Sequence, residues 1–397
     1  MFTRRNERGQ EASDSFAEVD PKRGGSSLST RTKITIDARM LGFSGIGRYI
    51  YDLLFNFARI ENEFNFEIIA PRRELLPNPL PPTFRYVCGR SPIYGIGEQW
   101  EIARLARKTD LLHCPHYNIP LFYRGALVVT IQDLTHLLHR DFVPYRAAYV
   151  YARFMLGAAA SHARQIITIS EFSKHAICSQ LKVPENKVRV IYRFLAERYR
   201  HLQKSSDPAR LAALGINSPY ILFVGLLKPH KNVYGLIRAF SMIPPQKRHS
   251  YQLVLAGRKD RAYPSLLQLT RELHLERQVV FTGEVSDNDL HLLYSGATVF
   301  VLASFNEGFG VPALEAMAYG IPVVAANSSS LPEVVGNAGL LVDPQDGSAI
   351  ANTLERLLSD PDFRQQFGRL GQERACLFSA REAAQKHLEL YREVLRA

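Results

Sequence analysis

The chain has 397 residues, 46% of them hydrophobic and 22% charged, with a formal net charge of +11. That length gives room for two domains of ordinary size, and the composition is that of a soluble globular protein rather than a disordered or fibrous one. No apolar run approaches the roughly 20 residues of a membrane-spanning helix. The four cysteines, Cys88, Cys114, Cys178 and Cys376, form no Cys-x-x-Cys pair, which points to reduced core thiols in a cytosolic protein rather than disulfides or a thiolate metal site.

Residues 1–32 are polar and mixed in charge, with Gly-Gly-Ser-Ser near their end and no apolar stretch of a signal peptide; they read as a disordered tail. From residue 33 to 195 short β-rich runs alternate with helical patterns. "KITIDARM", "FEIIAP", "FRYVCG", "LLHCP", "ALVVTIQD", "RQIITIS" and "KVRVIY" are the strands. After the first, Ile46, Ile50, Leu53, Phe57 and Ile60 recur at helical spacing and mark one buried face. A helix is expected from about Pro144 to His162, and Ser170 is placed to cap the next, which runs through Leu181. Residues 196–218, punctuated by Pro208 and Gly215, read as a linker with a short helix.

The alternation restarts over 219–378 with "YILFVG", "YQLVLAG", "VVFTG", "ATVFVLA", "IPVVAAN" and "GLLVD". These runs are apolar throughout, as expected when both faces of a sheet are covered. Ser286 and Asp346 begin helices, and Ser379 with Glu382 forms a capping box for a last helix over 379–397 that can cross back to the first domain. Two βα arrays argue for an α/β chain of two doubly wound parallel-sheet domains facing across a cleft, with ligands outside the carboxyl ends of the strands.

Charge is uneven: 29 Lys and Arg against 19 Asp and Glu in residues 1–200, but 20 against 19 in 201–397. A basic half suits an anionic partner. No nucleic-acid-binding signature is present, so the cytoplasmic face of an anionic membrane is favoured over nucleic acid, beside the plainer reading of excess surface arginine. In "VPYRAAYVYARFMLGAAASHAR", Arg146 and Arg153 share a helix face among Tyr145, Tyr149, Tyr151 and Phe154. Basic and aromatic residues together suit a membrane interface; aromatics packed on the sheet are the better expectation.

Three motifs carry chemistry. In "MLGFSGIGRYI", Gly42, Gly45 and Gly47 lie in a turn opening a helix, either an anion-binding turn or simply a tight βα connection. In "VGLLKPHKN", Gly225 ends a strand, and Lys228, His230 and Lys231 follow before Asn232 opens a helix; cations at such a junction suit a diphosphate, or form a solvated basic loop. In "SFNEGFGVPALEAM", Glu307 lies on a loop and Glu315 about one turn into a helix started by Pro312. Carboxylates that accept hydrogen bonds from vicinal hydroxyls suit sugars and riboses, and Gly308 and Gly310 let a ligand approach. Paired acids also suit a glycoside hydrolase, which would leave the lysines and glycine turns unexplained. His113, His116, His136 and His139 suggest cleft-lining or packing roles rather than a zinc site.

With Glu307 and Glu315 eight positions apart in the frame "EGFG-P-LEAMA-G-PVVA", the chain resembles the retaining glycosyltransferases of family 4, of GT-B fold, from about Lys33 onward. "SGIGRYI", "HCPHYNIPL", "ISEFSKHAI" and "SSSLPEV" resemble the bacterial polysaccharide-assembling members, many of them mannosyltransferases. The resemblance implies a nucleotide-sugar donor, a lipid-linked or oligosaccharide acceptor, and no metal or other cofactor. It implies that residues 33–195 form the acceptor side and 219–378 the donor side. Glu315 would bind the ribose and Glu307 the transferred sugar, with the backbone of Gly308, Phe309 and Gly310 lining that sugar. Lys231, with Lys228, would bind the diphosphate after Gly225, and Gly45 and Gly47 would admit it from the other side. Two positions depart from the family pattern: Leu226 stands where Arg is frequent, and Gln132-Asp133 where His-Asp is usual. Gln132 can hydrogen-bond a sugar but cannot titrate near neutrality; His136 and His116 are further acceptor-side candidates. An epimerase, or a nucleotide-sugar-binding scaffold that has lost turnover, are the competing readings.

Overall fold

A computed structural model describes residues 31–138, 146–196, 199 and 204–397, without the side chains of Ser44 and His136. The expected N-terminal tail, His139, and the start of the helix at Pro144 and Tyr145 lie outside the described residues. Among the described residues thirteen strands form two all-parallel sheets. The first has seven strands: β1 (Lys33–Asp37), β2 (Asn65–Ala70), β3 (Phe84–Cys88), β4 (Leu111–Cys114), β5 (Ala126–Thr130), β6 (Gln165–Thr168) and β7 (Val188–Val190). Their order is β3-β2-β1-β4-β5-β6-β7, so the chain reverses direction across the sheet between β1 and β4, with Ile34 opposite Leu111.

The second sheet has β8 (Tyr220–Val224), β9 (Gln252–Ala256), β10 (Val279–Gly283), β11 (Val299–Leu302), β12 (Val323–Ala326) and β13 (Leu340–Val342), in the order β10-β9-β8-β11-β12-β13. The apolar run of each central strand explains its place. Val299–Leu302 and Val323–Ala326 are buried along their whole length, because helices cover both faces. Side chains that alternate across such a strand both meet hydrocarbon, and each fully buried Val or Leu contributes about 1.5–3 kcal/mol.

The helix Ser44–Phe57 packs Ile50, Leu53 and Phe57 inward as its spacing requires, while Ile46 and Ile60 are half-buried. Ser170 accepts a hydrogen bond from the Ser173 N–H and so caps the helix Glu171–Leu181. The helix Arg146–His162 corrects one expectation. It packs through Ala152, Met155, Leu156, Ala159 and Ala160, and of its aromatics Tyr151 is half-buried against the same core with its hydroxyl donating to Asn118 Oδ1, whereas Phe154 faces outward. Phe154 is 60% and Val150 63% exposed, beside exposed Arg146 and Arg153. The thiols correct another: Cys114 alone is buried, and Cys88 and Cys376 are exposed.

The chain passes between the two sheets at adjacent points, where the Leu195 N–H donates to the Phe378 carbonyl and Leu195 bridges Ser379. Ser379 then caps the helix Ala380–Arg396, which lies on the first sheet and not the second. Ala384, Leu388, Tyr391 and Val394 join Ile34, Ile36, Tyr49 and Phe57 in one core. Three polar contacts run through that core. The Tyr49 hydroxyl meets His387 Nε2 at 2.8 Å, and the Tyr391 hydroxyl meets His113 Nδ1 at 2.6 Å, with Thr130 on His113 Nε2 at 2.9 Å. Burial holds both imidazoles in the neutral form, pushing His387 down to about 4 and His113 well below its ordinary value. Between those values and the ordinary 6.5, the unfolded chain binds more protons than the folded one, so stability falls as pH falls through that window. Urea denaturation at pH 7 and pH 5 should show a lower midpoint at pH 5, and a shallower fall in His387→Gln; a midpoint independent of pH would contradict the buried neutral pair.

Candidate active site

Strand β11 ends at Leu302, and the chain forms a loop before the helix Val311–Ala318. Gly310 opens that helix at φ +99°, where a Cβ would lie 2.5 Å from a methyl of Leu331; Pro312 occupies the first turn. The loop is pinned by its neighbours. The Phe305 N–H donates to the His230 carbonyl at 2.8 Å, the Glu307 N–H donates to Ser329 Oγ, and Ser330 Oγ donates to the Glu307 carbonyl. The serine run of "SSSLPEV" therefore fixes the loop that carries Glu307.

Lys231 ends a short turn, Pro229–Lys231, after β8 and Gly225. Asn232, at φ +54°, follows it, and its amide donates to the carbonyls of Ala303 and Pro344. This brings Lys231 Nζ to 2.7 and 2.6 Å from the two oxygens of Glu307, whose Oε1 also accepts from Ser304 Oγ at 2.8 Å. Glu307 is buried and Lys231 half-buried. Lys228 and Leu226, earlier in the same turn, are half-buried. Phe309 turns inward, its ring 6.1 Å from that of Tyr192 and 5.6 Å from that of Phe378.

Glu315 is buried on the helix. Its Oε2 accepts from the Tyr294 hydroxyl at 2.9 Å, and Arg48 Nη1 lies 3.9 Å from its Oε1. Burial beside that carboxylate raises the Tyr294 phenol well above its ordinary value, so it stays a donor. Arg48 also pairs with Asp287 at 2.8 Å. It is a contact between the halves that sequence reasoning left unassigned, although it sits inside "SGIGRYI".

From the first half, Gly45 and Gly47 lie within the first turn of Ser44–Phe57 rather than ahead of it. They differ in kind. A Cβ on Gly47 would fall 2.2 Å from the Leu41 carbonyl oxygen, so the turn itself demands glycine; one on Gly45 would meet nothing within 4 Å. Gln132 and Asp133 follow β5. Asp133 accepts from the Thr135 N–H at 2.9 Å, and its other oxygen lies 2.6 Å from where a Gly308 Cβ would stand. Asn306 donates to Thr135 Oγ1 at 3.0 Å. Gln132-Asp133 therefore faces the Glu307 loop, and Gly308 is glycine because Asp133 leaves no room for more. A further contact joins the halves where Glu333 accepts from the N–H groups of Glu171 and Phe172 at 2.8 and 3.0 Å, an acid on a helix N-terminus.

His116 makes its described contacts elsewhere. Its ring lies 6.0 Å from Tyr94 and 4.0 Å from Tyr117, and it lines a small cavity with Asp37, Arg39 and Asn118. Beneath that cavity Arg39 pairs with Asp37 at 2.7 Å and Glu98 at 2.9 Å, and burial pushes the Glu98 carboxyl up. His136 is on the helix Thr135–Leu138, and its side chain is outside the described residues. His113 is a core residue. No group of three or more His, Cys, Asp or Glu among the described residues is placed to hold a metal.

Comparison with known proteins gives the family. Residues 43–196 match the family Glycosyltransferase Family 4, and residues 211–374 match Glycosyl transferases group 1. The chain is 33% identical over 294 residues to O-antigen chain mannosyltransferase B of Escherichia coli, covering 72% of this chain and 74% of that protein. It is 28% identical over 349 residues to O-antigen chain mannosyltransferase RfbU of Salmonella typhimurium, covering 84% and 93%. Among solved structures, sucrose-phosphate synthase from Thermosynechococcus elongatus aligns with a TM-score of 0.73 at 22% identity over 92% of this chain and all of that one. Anabaena Alr3699/HepE in complex with UDP-glucose aligns with a TM-score of 0.73 at 20% identity, over 91% and 99%; at such identity the likeness establishes the fold. With two facing parallel-sheet domains, both family matches and a relative one-third identical over most of its length, the chain is a GT-B glycosyltransferase that belongs to the group 1 glycosyl transferases.

Proposed function

We propose that this glycosyltransferase moves mannose, with retention of configuration, from a nucleoside-diphosphate mannose to a lipid-linked or oligosaccharide acceptor in O-antigen or related surface-polysaccharide synthesis. The similarity to the two O-antigen mannosyltransferases supports the sugar and the pathway class. The observation that carries the site assignment is Lys231 bonded to both oxygens of Glu307 where the ends of β8 and β11 meet the Gln132-Asp133 loop. A diphosphate entering there competes for the ammonium. As Lys231 moves to phosphate, Glu307 is released to accept hydrogen bonds from sugar hydroxyls, and Glu315 receives the ribose. Lys231 then stabilises the charge that grows on the leaving diphosphate, an effect larger in the transition state than in the ground state. No carboxylate is assigned as a nucleophile. The departing phosphate itself takes the acceptor proton, and the charge is met by Lys231, Lys228 and Arg48 without a metal.

The exposed face of Arg146–His162 supports a peripheral site of action at the cytoplasmic surface of an anionic membrane. Arg146, Val150, Arg153 and Phe154 lie together on it, and each basic group at such a surface contributes about 1 kcal/mol. No helix among the described residues is long and apolar enough to cross a membrane.

Purified protein with GDP-mannose and an acceptor glycolipid should release GDP. Lys231→Ala should lower kcat about 100-fold or more, as for other stabilising groups of a leaving charge, and product NMR should give the α-anomer from the α-linked donor. Release that Glu307→Ala leaves unchanged would refute the site, and binding without release would favour a scaffold. In flotation assays the protein should follow vesicles containing phosphatidylglycerol at 50 mM salt, less so at 500 mM, and Arg153→Glu with Phe154→Glu should weaken it; equal behaviour with neutral vesicles would remove the membrane contact.

A further inference from the structure

Arg193 stands outside every motif of the sequence, yet its guanidinium is buried on the segment that leaves β7 for the crossing at Leu195. Nη2 donates to the Gly45 carbonyl at 2.8 Å, and Nη1 donates to Gln132 Oε1 at 3.4 Å. Its Cζ is 5.1 Å from the centre of the Tyr49 ring. One charged group thus holds both the glycine turn and the residue that departs from the family's usual histidine.

The chemistry of the two side chains fixes their polarity. A guanidinium has donors only, whereas a primary amide has an acceptor at one end and two donors at the other. Beside Arg193, Gln132 has to turn its oxygen toward the guanidinium and its NH2 away. That nitrogen is buried and has no hydrogen-bond partner among the described residues, a rare state for a buried amide. It is attached to the loop whose next residue, Asp133, reaches Gly308. Two unused N–H bonds are therefore held one residue from Asp133, which itself reaches the loop of Glu307, and only an acceptor atom can complete them.

We propose that Arg193 is a positioning residue of the donor site: by fixing the Gln132 amide oxygen inward, it presents the Gln132 NH2 to an oxygen of the sugar being transferred. The inference rests on the reading of this site as the place of a nucleotide sugar. Its bond to Gly45 keeps the glycine turn in register with that amide. In place of an imidazole whose charge varies with pH, the chain has a neutral donor whose direction is set by a permanent cation. Removing the guanidinium leaves the amide free to turn over and offer its oxygen instead.

Calorimetric titration with GDP and GDP-mannose, and with UDP and UDP-glucose as a second pair, reads this directly. The quantity of interest is the affinity gained on adding the sugar, Kd of the diphosphate over Kd of the nucleotide sugar. Gln132→Glu, which offers Arg193 an oxygen but presents no N–H, should cut that ratio about three- to tenfold, the range for one hydrogen bond. Arg193→Met should cut it by a similar factor, and the double variant no further than either single change. Arg193→Lys should keep part of the gain, because an ammonium also requires the oxygen end of the amide. Any loss of diphosphate affinity should be smaller than the loss of nucleotide-sugar affinity in all four. Arg193→Met with an undiminished ratio, losses that multiply in the double variant, or an equal loss for diphosphate and nucleotide sugar would each overturn the inference. If Arg193→Met does not fold, judged by circular dichroism, the comparison of Arg193→Lys with Gln132→Glu decides by the same criteria. Lys231→Ala separates the two levels. Diphosphate binding indifferent to Lys231 overturns the donor-site reading itself; diphosphate binding that is lost there, with a ratio insensitive to Arg193, overturns the positioning role alone.

Discussion

An ammonium and a carboxylate held together inside a protein lose much of their hydration, and their attraction balances that loss only if the geometry is good and the remaining lone pairs are used. The pair of Lys231 and Glu307 meets both conditions: two short contacts between them, and a third to Glu307 from Ser304. Everything near the site is arranged to keep those groups in reach. Asn232 clamps the lysine turn to the strand end at Ala303, His230 holds Phe305, and Ser329 and Ser330 hold the backbone of Glu307. The result is a charge pair whose halves come from distant parts of the sequence and whose loops are fixed independently of it. A ligand that replaces one partner meets a site that is already built, which lowers the entropic cost of binding.

The same economy joins the two halves. Their polar contacts in the described residues are few and placed around the strand ends: Arg48 with Asp287, Asn306 with Thr135, and Glu333 on the N-terminus of Glu171–Leu181. Arg48 and Arg193 both originate in the first half, and one reaches Glu315 while the other holds Gln132. Under the proposed function, recognition of the donor and the approach of the two sheets are carried by overlapping side chains. A pair as open to solvent as Arg48 and Asp287 contributes little by itself.

The strands were legible because β8, β11 and β12 are unbroken apolar runs, and a run of that kind has one stable place, the middle of a covered parallel sheet. The paired glutamates were legible because glycine and proline frame them. Other features had no such signal. The helix Pro361–Cys376 buries Gly368, Gly371 and Ala375; a Cβ on Gly368 would fall 2.5 Å from the Gly320 carbonyl oxygen, so its core face is made of residues that no hydrophobic stripe reveals. Arg193 looked like one more surface cation, since charge in sequence says nothing of burial. Phe154 failed in the opposite sense: an aromatic residue in a helix is normally inward, and here small residues and Met155 took the packing face. The difference between Gly45 and Gly47 is a matter of one carbonyl oxygen, visible only in three dimensions.

The last helix has a consequence for how the chain is made. Ala384, Leu388, Tyr391 and Val394 are core residues of a domain whose first strand begins at Lys33. A protein emerges from the ribosome in order and its domains generally fold as units, the N-terminal first. Here the first domain leaves the ribosome with part of its interior uncovered, including the buried hydroxyl of Tyr49 and the ring of His113, and waits for the whole second domain to follow. Only when the helix Ala380–Arg396 docks does the first core close. The first of the two domains to be made is thus completed only after the second has been made.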